Sequence, residues 1–428
     1  MEVKIEKSVY GGKGLGKINE KTCFVPFVID GELVNVDIVK EKKSFYECRL
    51  KTVLKPSEYR VNPPCKYFTY CGGCDYQHIS YEKQLDIKKS ILLETLNRIG
   101  KLEIDKVDKI IPSENPFYYR NRTQLKVRGK QLGFYMKESK TIVDIDECLL
   151  LKEDLGESLK GLRELLQFLD IKPIEIHLYS TNLDEMLVKF IYPFSFKRFP
   201  LGLKHLKAFV NKNIIGIGIF EKKGEFLKRF ISIGKQFAYE SVKIMDKDIK
   251  YRVSINSFFQ VNRFQIKNLI NEVLEEVDKE FNEVLDLYCG VGTLTLPIGL
   301  KAKNVIGIEN NKFAVEDGNH NKKLNGFKNV KFIKADAGKD IELLNKFSPD
   351  LVVLDPPRSG ITKDLLNYLI NKESIEKIIY VSCNPSTLAR DLSKLKEKYQ
   401  IKSLKLIDMF PQTYHIESIA MLEKGIDG

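Results

Sequence analysis

Cys383 stands where an apolar run, Ile379-Tyr380-Val381-Ser382, gives way to Asn384-Pro385-Ser386-Thr387 and the start of a charged helix. A thiol at a strand end lies where α/β proteins put their chemistry, and a thiolate there is a candidate nucleophile. Further on, His415-Ile416-Glu417 brings a carboxylate into an otherwise apolar closing segment. A nearby acid can take or return a proton. Read alone, a single cysteine in such a place is a small buried hydrophobe. The surrounding chain overturns that reading.

A second group of thiols sits far upstream. Cys65, Cys71 and Cys74 are closely spaced, with Pro63, Pro64, Gly72 and Gly73 able to turn one loop around a ligand. Cys71-Gly72-Gly73-Cys74 alone fits a redox pair or half a zinc site. Cys148, after Val143-Asp144-Ile145-Asp146-Glu147, can supply a fourth ligand. Four thiolates suit tetrahedral zinc or an iron–sulfur cluster, and the spacing does not choose. The other cysteines, Cys23, Cys48 and Cys289, are scattered.

The elements that must position Cys383 alternate in type. An apolar strand precedes Tyr288-Cys289-Gly290-Val291-Gly292-Thr293, a Gly-rich turn that opens a helix. The next strand, Asn304 to Glu309, ends in an acid suited to two ribose hydroxyls. Asn329 to Asp336 is another strand ending in an acid, followed by Asp350-Leu351-Val352-Val353-Leu354-Asp355 and the Cys383 strand. This alternation predicts a doubly wound parallel sheet. The turn lacks the G-x-G-x-x-G order, which disfavours NAD. One Gly-rich turn with an acid after the second strand looks like the S-adenosylmethionine methyltransferase fold.

Four motifs narrow the resemblance. Phe259-Gln260-Val261-Asn262, Asp355-Pro356-Pro357-Arg358, Ser382-Cys383-Asn384-Pro385 and His415-Ile416-Glu417 occur in the order seen in RNA uracil-5-methyltransferases, and the chain resembles that family along essentially its whole length. The resemblance implies that Cys383 adds to carbon 6 of uracil and that Glu417 later removes the proton from carbon 5. It implies that Gln260, Tyr288, Glu309 and Asp336 hold S-adenosyl-L-methionine, with Asp355 in the cofactor or uracil pocket. It favours a 4Fe-4S cluster over zinc on Cys65, Cys71, Cys74 and Cys148, with a structural or RNA-binding role. Tyr118 to Arg128 interleaves aromatics with cations and is similar to the family's Tyr-Arg-Asn-Arg motif, so Arg120 and Arg122 become candidate RNA contacts. By pattern alone the same run reads equally as a half-buried strand.

The expected architecture is α/β in three parts. Residues 1–57 form an OB-like barrel resembling the TRAM domain, 58–250 a central α+β domain with the cysteine site, and 251–428 a Rossmann-like class I methyltransferase domain. Within the barrel, Phe24 to Ile29 runs into Asp30-Gly31, which predicts a hairpin to the strand from Leu33. Gly11-Gly12-Lys13-Gly14-Leu15-Gly16-Lys17 imitates a phosphate loop, but Ile18 stands where a hydroxyl is required and no helix follows.

The chain has 428 residues, enough for two or three cores, and a net charge of +12 from 70 basic and 58 acidic residues. Excess positive charge suits a polyanion partner. No apolar run reaches the length of a membrane span and Met1 to Lys7 carries no signal-peptide hydrophobic region, so a cytoplasmic enzyme with no membrane and no obligate protein partner is expected. By resemblance, the TRAM-like barrel and the four cysteines favour 23S ribosomal RNA as substrate, with transfer RNA as the alternative. A different class of reading is a catalytically inactive RNA-binding or iron–sulfur protein. Amino-methylation of a purine is disfavoured, because Asp-Pro-Pro-Arg lacks the aromatic residue that stacks on the base.

Overall fold

The computed structural model describes residues 1–194, 203–224 and 226–425. Its first part is a closed five-stranded barrel. Alternating residues of the strands Glu2–Val9, Lys13–Ile18, Lys21–Pro26, Leu33–Glu41 and Phe45–Lys55 point inward. They fill the interior with Val3, Ile5, Ile18, Cys23, Val25, Val34, Val36 and Cys48. The Gly-rich imitation of a phosphate loop is the turn between the first two strands, with Gly11 and Gly12 at φ 103° and 76°.

The predicted hairpin at Asp30-Gly31 does not form. Lys21–Pro26 pairs in parallel with Phe45–Lys55, while Leu33–Glu41 pairs with Glu2–Val9 and Phe45–Lys55. Phe27 turns left-handed at φ 62°, and buried Glu32 accepts the Ile29 amide at 2.9 Å and Arg60 Nε at 2.5 Å. That buried carboxylate draws the connection across the barrel end.

A seven-stranded sheet forms the middle of the chain, in the order Phe226–Gly234, Ile214–Lys223, Met186–Tyr192, Glu175–Ser180, Arg122–Arg128, Gln131–Tyr135, Ile142–Asp144. Helix Glu153–Phe168 covers it with Leu155, Leu159, Leu162, Leu165 and Leu166. Ion-pair networks at its edges include buried Lys152 with Asp154 and Asp184.

The third body is an eight-stranded sheet ordered Val330–Lys334, Asn304–Glu309, Glu283–Leu287, Leu351–Leu354, Lys377–Ser382, Glu417–Lys424, Tyr399–Ile407, Lys109–Ile111. The first five strands are parallel, as the alternation predicted, and Glu417–Lys424 runs antiparallel to its neighbours. Two pieces from before position 250 belong to this body. Lys109–Ile111 is its edge strand, and helix Tyr81–Gly100 packs Ile87, Ile91, Leu92 and Leu96 into the same core as Leu388 and Leu392. A boundary drawn by position along the chain therefore cuts through a continuous core. Their apolar faces find enough surface only against the eight-stranded sheet.

Helix Tyr81–Gly100 is also pinned by polar groups. Lys88 is fully buried and donates to Asp408 Oδ1 at 2.6 Å and to the Phe410 carbonyl at 3.0 Å. Gln84 donates to Gln412 Oε1 at 3.0 Å and accepts the Gln412 amide at 3.0 Å. Removing one partner of a buried pair strands the other charge, whereas replacing both by apolar groups does not. Lys88→Met should lower stability to chemical unfolding by about 3–5 kcal/mol, and adding Asp408→Leu should restore most of the loss. A single variant within about 1 kcal/mol of wild type would show that the pair is not coupled to the fold.

Candidate active site

Strand register assembles the reactive groups. In the antiparallel pair Lys377–Ser382 and Glu417–Lys424, Ser382 lies opposite Ser418. Cys383 therefore leaves the sheet beside the point where Glu417 enters it. On the other side of Lys377–Ser382, Leu354 lies opposite Tyr380, so Asp355 emerges at the same edge. Asn384 caps helix Pro385–Leu395 by accepting the Ser386 amide, and its side-chain NH2 donates to the Arg358 carbonyl at 3.0 Å. The cap thus ties the cysteine loop to the Asp355–Arg358 loop.

Charge in this cluster is poorly solvated. Burial pushes the Cys383 thiol up to about 12; the Glu417 and Asp355 charges push the same way, and Arg358 opposes them. Burial holds the Glu417 carboxyl well above the usual range, with Asp355 adding to the shift. Asp355 rises to about 7 through burial, opposed by the Gln260 amide, which donates to its Oδ2 at 3.3 Å. Two carboxyl groups in one dry site share a proton near neutrality rather than both ionising. The resting thiol is protonated, and a carboxylate with a raised pKa is a stronger base than an ordinary one. Arg358 donates to His415 Nε2 at 3.2 Å, and burial together with Arg358 pushes that imidazole down to about 3, so it accepts as the neutral ring.

The adjoining turn is built for close approach. Tyr288, Gly290 and Gly292 have φ of 65°, 55° and 92°, and a Cβ on Gly292 would meet the Phe332 ring at 2.6 Å. Glu309 accepts the Gly290 amide at 3.0 Å and the Asn311 amide at 2.7 Å, so the acid holds the turn's shape. Asp336 accepts the Gly338 amide at 3.0 Å, and its charge, after burial, helps raise the pKa of Tyr288 beside it. Asp286, two residues before Tyr288 on the preceding strand, is fully buried. Its Oδ2 accepts the Thr295 hydroxyl at 2.5 Å, while its Oδ1 has no partner. Its pKa rises to about 7, mainly by burial, with Asp355 and Glu309 adding their charges. An acidic pocket with an unpaired buried oxygen fits a cationic occupant such as a sulfonium bearing an ammonium group.

The barrel also reaches this site, through a residue that sequence reading missed. Tyr10, just before the Gly11-Gly12 turn, is half-buried and meets the Tyr414 ring edge-on at 5.3 Å. Tyr414 in turn packs on His415 at 4.3 Å. Burial, Tyr414 and the charges of Cys383 and Glu417 push the Tyr10 hydroxyl up to about 12, against Arg358. A tyrosine ahead of a rejected motif carried no signal; only barrel docking brings it here.

Cys65, Cys71, Cys74 and Cys148, all free thiols, line one cavity of about 80 Å3 together with Phe68 and Leu149. Gln77 Nε2 donates to Cys74 Sγ at 3.1 Å, and burial pushes Cys71 up to about 11. Among the described residues, no group of three or more His, Cys, Asp or Glu side chains is arranged to hold a metal ion. Arg120 lines this cavity too, and its Nε donates to the Tyr119 hydroxyl at 3.3 Å. Arg122 donates to the carbonyls of Phe259 at 3.5 Å and Ser257 at 3.4 Å, above the rings of Tyr179 and Phe258. Both arginines are half-buried in the seam between the seven-stranded and eight-stranded sheets. Asn121 staples that seam by donating to the carbonyls of Val261 at 3.0 Å and Gln260 at 3.0 Å.

Known proteins agree with this architecture. The profile of the tRNA (Uracil-5-)-methyltransferase family matches residues 80–425. An RNA methyltransferase of uncharacterized specificity from Aquifex aeolicus is 40% identical over 99% of this chain and 98% of its own. Another from Thermotoga maritima is 34% identical over 99% of each. The crystal structure of Pyrococcus abyssi tRNA (uracil-54, C5)-methyltransferase in complex with S-adenosyl-L-homocysteine superposes with a TM-score of 0.77. It is 28% identical and covers 99% of this chain and 100% of that one. With the family profile spanning most of its length and the thiol, the carboxylates and the Gly-rich turn gathered at one sheet edge, this chain belongs to the tRNA (uracil-5-)-methyltransferase family of RNA methyltransferases.

Proposed function

We propose that the protein transfers a methyl group from S-adenosyl-L-methionine to carbon 5 of a uridine in structured RNA, with Cys383 as nucleophile and Glu417 as base. The observation that carries this reading is the register that sets Cys383 beside Glu417. Carbon 5 of uracil is too weakly nucleophilic to take a methyl group unaided. As the Cys383 sulfur bonds to carbon 6, the thiol proton passes to a neighbouring carboxylate, and the ring becomes an enolate nucleophilic at carbon 5. S-adenosylmethionine supplies the electrophilic methyl group. Once the carboxyl pair has given up a proton to solvent, Glu417, as carboxylate, removes the carbon 5 proton, the double bond re-forms, and sulfur leaves carbon 6 as a thiolate that is then reprotonated. Its raised pKa suits this carbon-bound proton. Gln260, Tyr288, Glu309, Asp336 and Asp355 are the residues we assign to cofactor binding, with Asp286 added by its buried, unpartnered oxygen.

The target base is stacked in folded RNA and is taken out of the stack to react. Residues 1–57, as a TRAM-like barrel, and the central region would hold the flanking strand by its phosphates. For Cys65, Cys71, Cys74 and Cys148 we propose a 4Fe-4S cluster, supported by their common cavity and its apolar walls. Large-subunit ribosomal RNA is the substrate we propose from the barrel and the cysteines. The full-length likeness to a transfer-RNA enzyme favours a second reading, transfer RNA. Assay of both RNAs with mass mapping of 5-methyluridine separates them: turnover of transfer RNA alone would retire the ribosomal reading.

Cys383→Ala should abolish turnover while S-adenosylmethionine binding is kept. Glu417→Gln should slow release by about 10²–10⁴-fold and accumulate a protein–RNA conjugate on denaturing gels. Normal turnover by either variant would require another nucleophile or base.

Anaerobically purified protein should be brown with about four irons per chain, and Cys→Ser at any of the four positions should bleach it. One equivalent of zinc without iron would reverse the assignment.

Tyr10→Ala tests the barrel's part. Turnover should fall at least about tenfold, as expected when a positioned group is lost, while Tyr10→Phe keeps the ring and stays near wild type. Equal kcat in the alanine variant would make the contact with Tyr414 incidental.

A further inference from the structure

A cavity of about 410 Å3 opens beside the seam, lined by Arg120, Arg122, His177, Lys189, Tyr179 and Phe258. Like half-buried Lys301, which donates to the Leu274 and Val277 carbonyls, its lysine and arginine side chains show no carboxylate partner among the described residues. Elsewhere buried lysines have carboxylate partners: Lys88 with Asp408, Lys152 with Asp154, Lys377 with Asp278, Lys405 with Glu272. Here Lys189 donates to the neutral Asn256 Oδ1 at 2.8 Å, Arg122 to two carbonyls, and Arg120 to a phenol. Among the described residues Lys189 and Arg122, both half-buried, hydrogen-bond to neutral acceptors, which raises the cost of leaving them unpaired and favours an anion here, while Arg120 also faces the thiols of Cys74 and Cys148. Burial and the Arg122 guanidinium push the Lys189 ammonium down to about 8, which is that cost made visible. The rings narrow the anion's identity. Phe258 is 55% exposed at the cavity, and Arg122 lies over both Phe258 and Tyr179. A flat ring attached to a phosphate satisfies both features, since bases stack on aromatic faces while arginine forks grip phosphate. The volume is that of a small-molecule site. The location matters as well: the segment that presents Phe258 and Val261 to this cavity sends Gln260 to Asp355.

We propose that this cavity is a second nucleotide subsite, which takes the phosphate and base of a nucleotide flanking the methylated uridine. The inference rests on the RNA methyltransferase reading above and adds to it a specificity determinant outside the catalytic pocket. Lys189 and Arg122 neutralise the phosphate, and Phe258 carries the base. Recognition of the neighbour and placement of the target are then coupled through the short chain between Phe258 and Gln260.

The test uses the full-length enzyme and the RNA it methylates, prepared with an abasic residue, or a neutral methylphosphonate linkage, at each of the two positions on either side of the target. At one position the abasic change should raise KM about tenfold for wild type but less than about twofold for Phe258→Ala, because the stacking partner is already gone. The neutral linkage there should be masked in the same way by Lys189→Ala. Penalties that simply multiply in both variants at every position would overturn the subsite. If wild type methylates no RNA, the proposed function itself fails, and the cavity is judged by calorimetry with uridine 5′-monophosphate and inorganic phosphate. Binding of the nucleotide that weakens at least about tenfold in Lys189→Ala sustains the subsite, and absence of binding to wild type overturns it.

Discussion

The antiparallel register that places Ser382 opposite Ser418 is the constraint on which the rest of the site depends. A slip of one residue would turn every side chain of Glu417–Lys424 to the opposite face, and Glu417 would no longer lie beside Cys383. Register is set here by burial on both faces: Ile378, Tyr380, Ile419, Ala420 and Leu422 are all fully buried. The approach to Glu417 is set as firmly. Lys88, Gln84 and Asp75 each bond the segment from Asp408 to Tyr414, so the chain enters the last strand along one path.

Asp75 joins the three bodies. Its amide donates to the Gln412 carbonyl at 2.9 Å, and its carboxylate pairs with Lys137 of the central region at 2.6 Å. Gly12 of the barrel approaches so closely that a Cβ there would lie 2.9 Å from Asp75 Cβ. Asp75 also follows Cys74 directly, so the cysteine loop, the barrel turn and the segment before Glu417 meet at one residue. The barrel is thus a wall of the catalytic region as well as a separate fold, and Tyr10 is the side chain it contributes.

Two opposite electrostatic environments flank the Ser257–Asn262 segment. Asp286, Glu309, Asp336 and Asp355 crowd negative charge on one side, where a sulfonium cation would gain most. Arg120, Arg122 and Lys189 concentrate positive charge on the other. The net charge of +12 says only that a polyanion is a suitable partner. The distribution separates a basic surface on one side of this segment from an acidic one on the other.

Much of this was legible in the sequence. Alternating apolar strands and helices specify a parallel sheet because each strand needs both faces covered, and Cys383, Asp355 and Glu309 fall at strand ends by local pattern alone. The Gly-rich turn was readable because left-handed backbone favours glycine and, at Gly292, a Cβ would strike Phe332. What sequence left open depended on contacts between distant segments. Which sheet helix Tyr81–Gly100 covers depends on residues hundreds of positions away, Leu388 and Leu392 among them. The Asp30-Gly31 signal was real, yet buried Glu32 and left-handed Phe27 sent the chain elsewhere. Arg120 and Arg122 were candidate RNA contacts in a run that read equally as a half-buried strand, and docking of Asn121 on Val261 is what draws them into a seam. Local chemistry determined which groups can react; only packing of the barrel, the central sheet and the catalytic sheet decided which of them meet. Burial, pairing and pKa belong to the neighbours that folding supplies, tens of residues away for Cys383 and Glu417 and hundreds for Lys88 and Asp408.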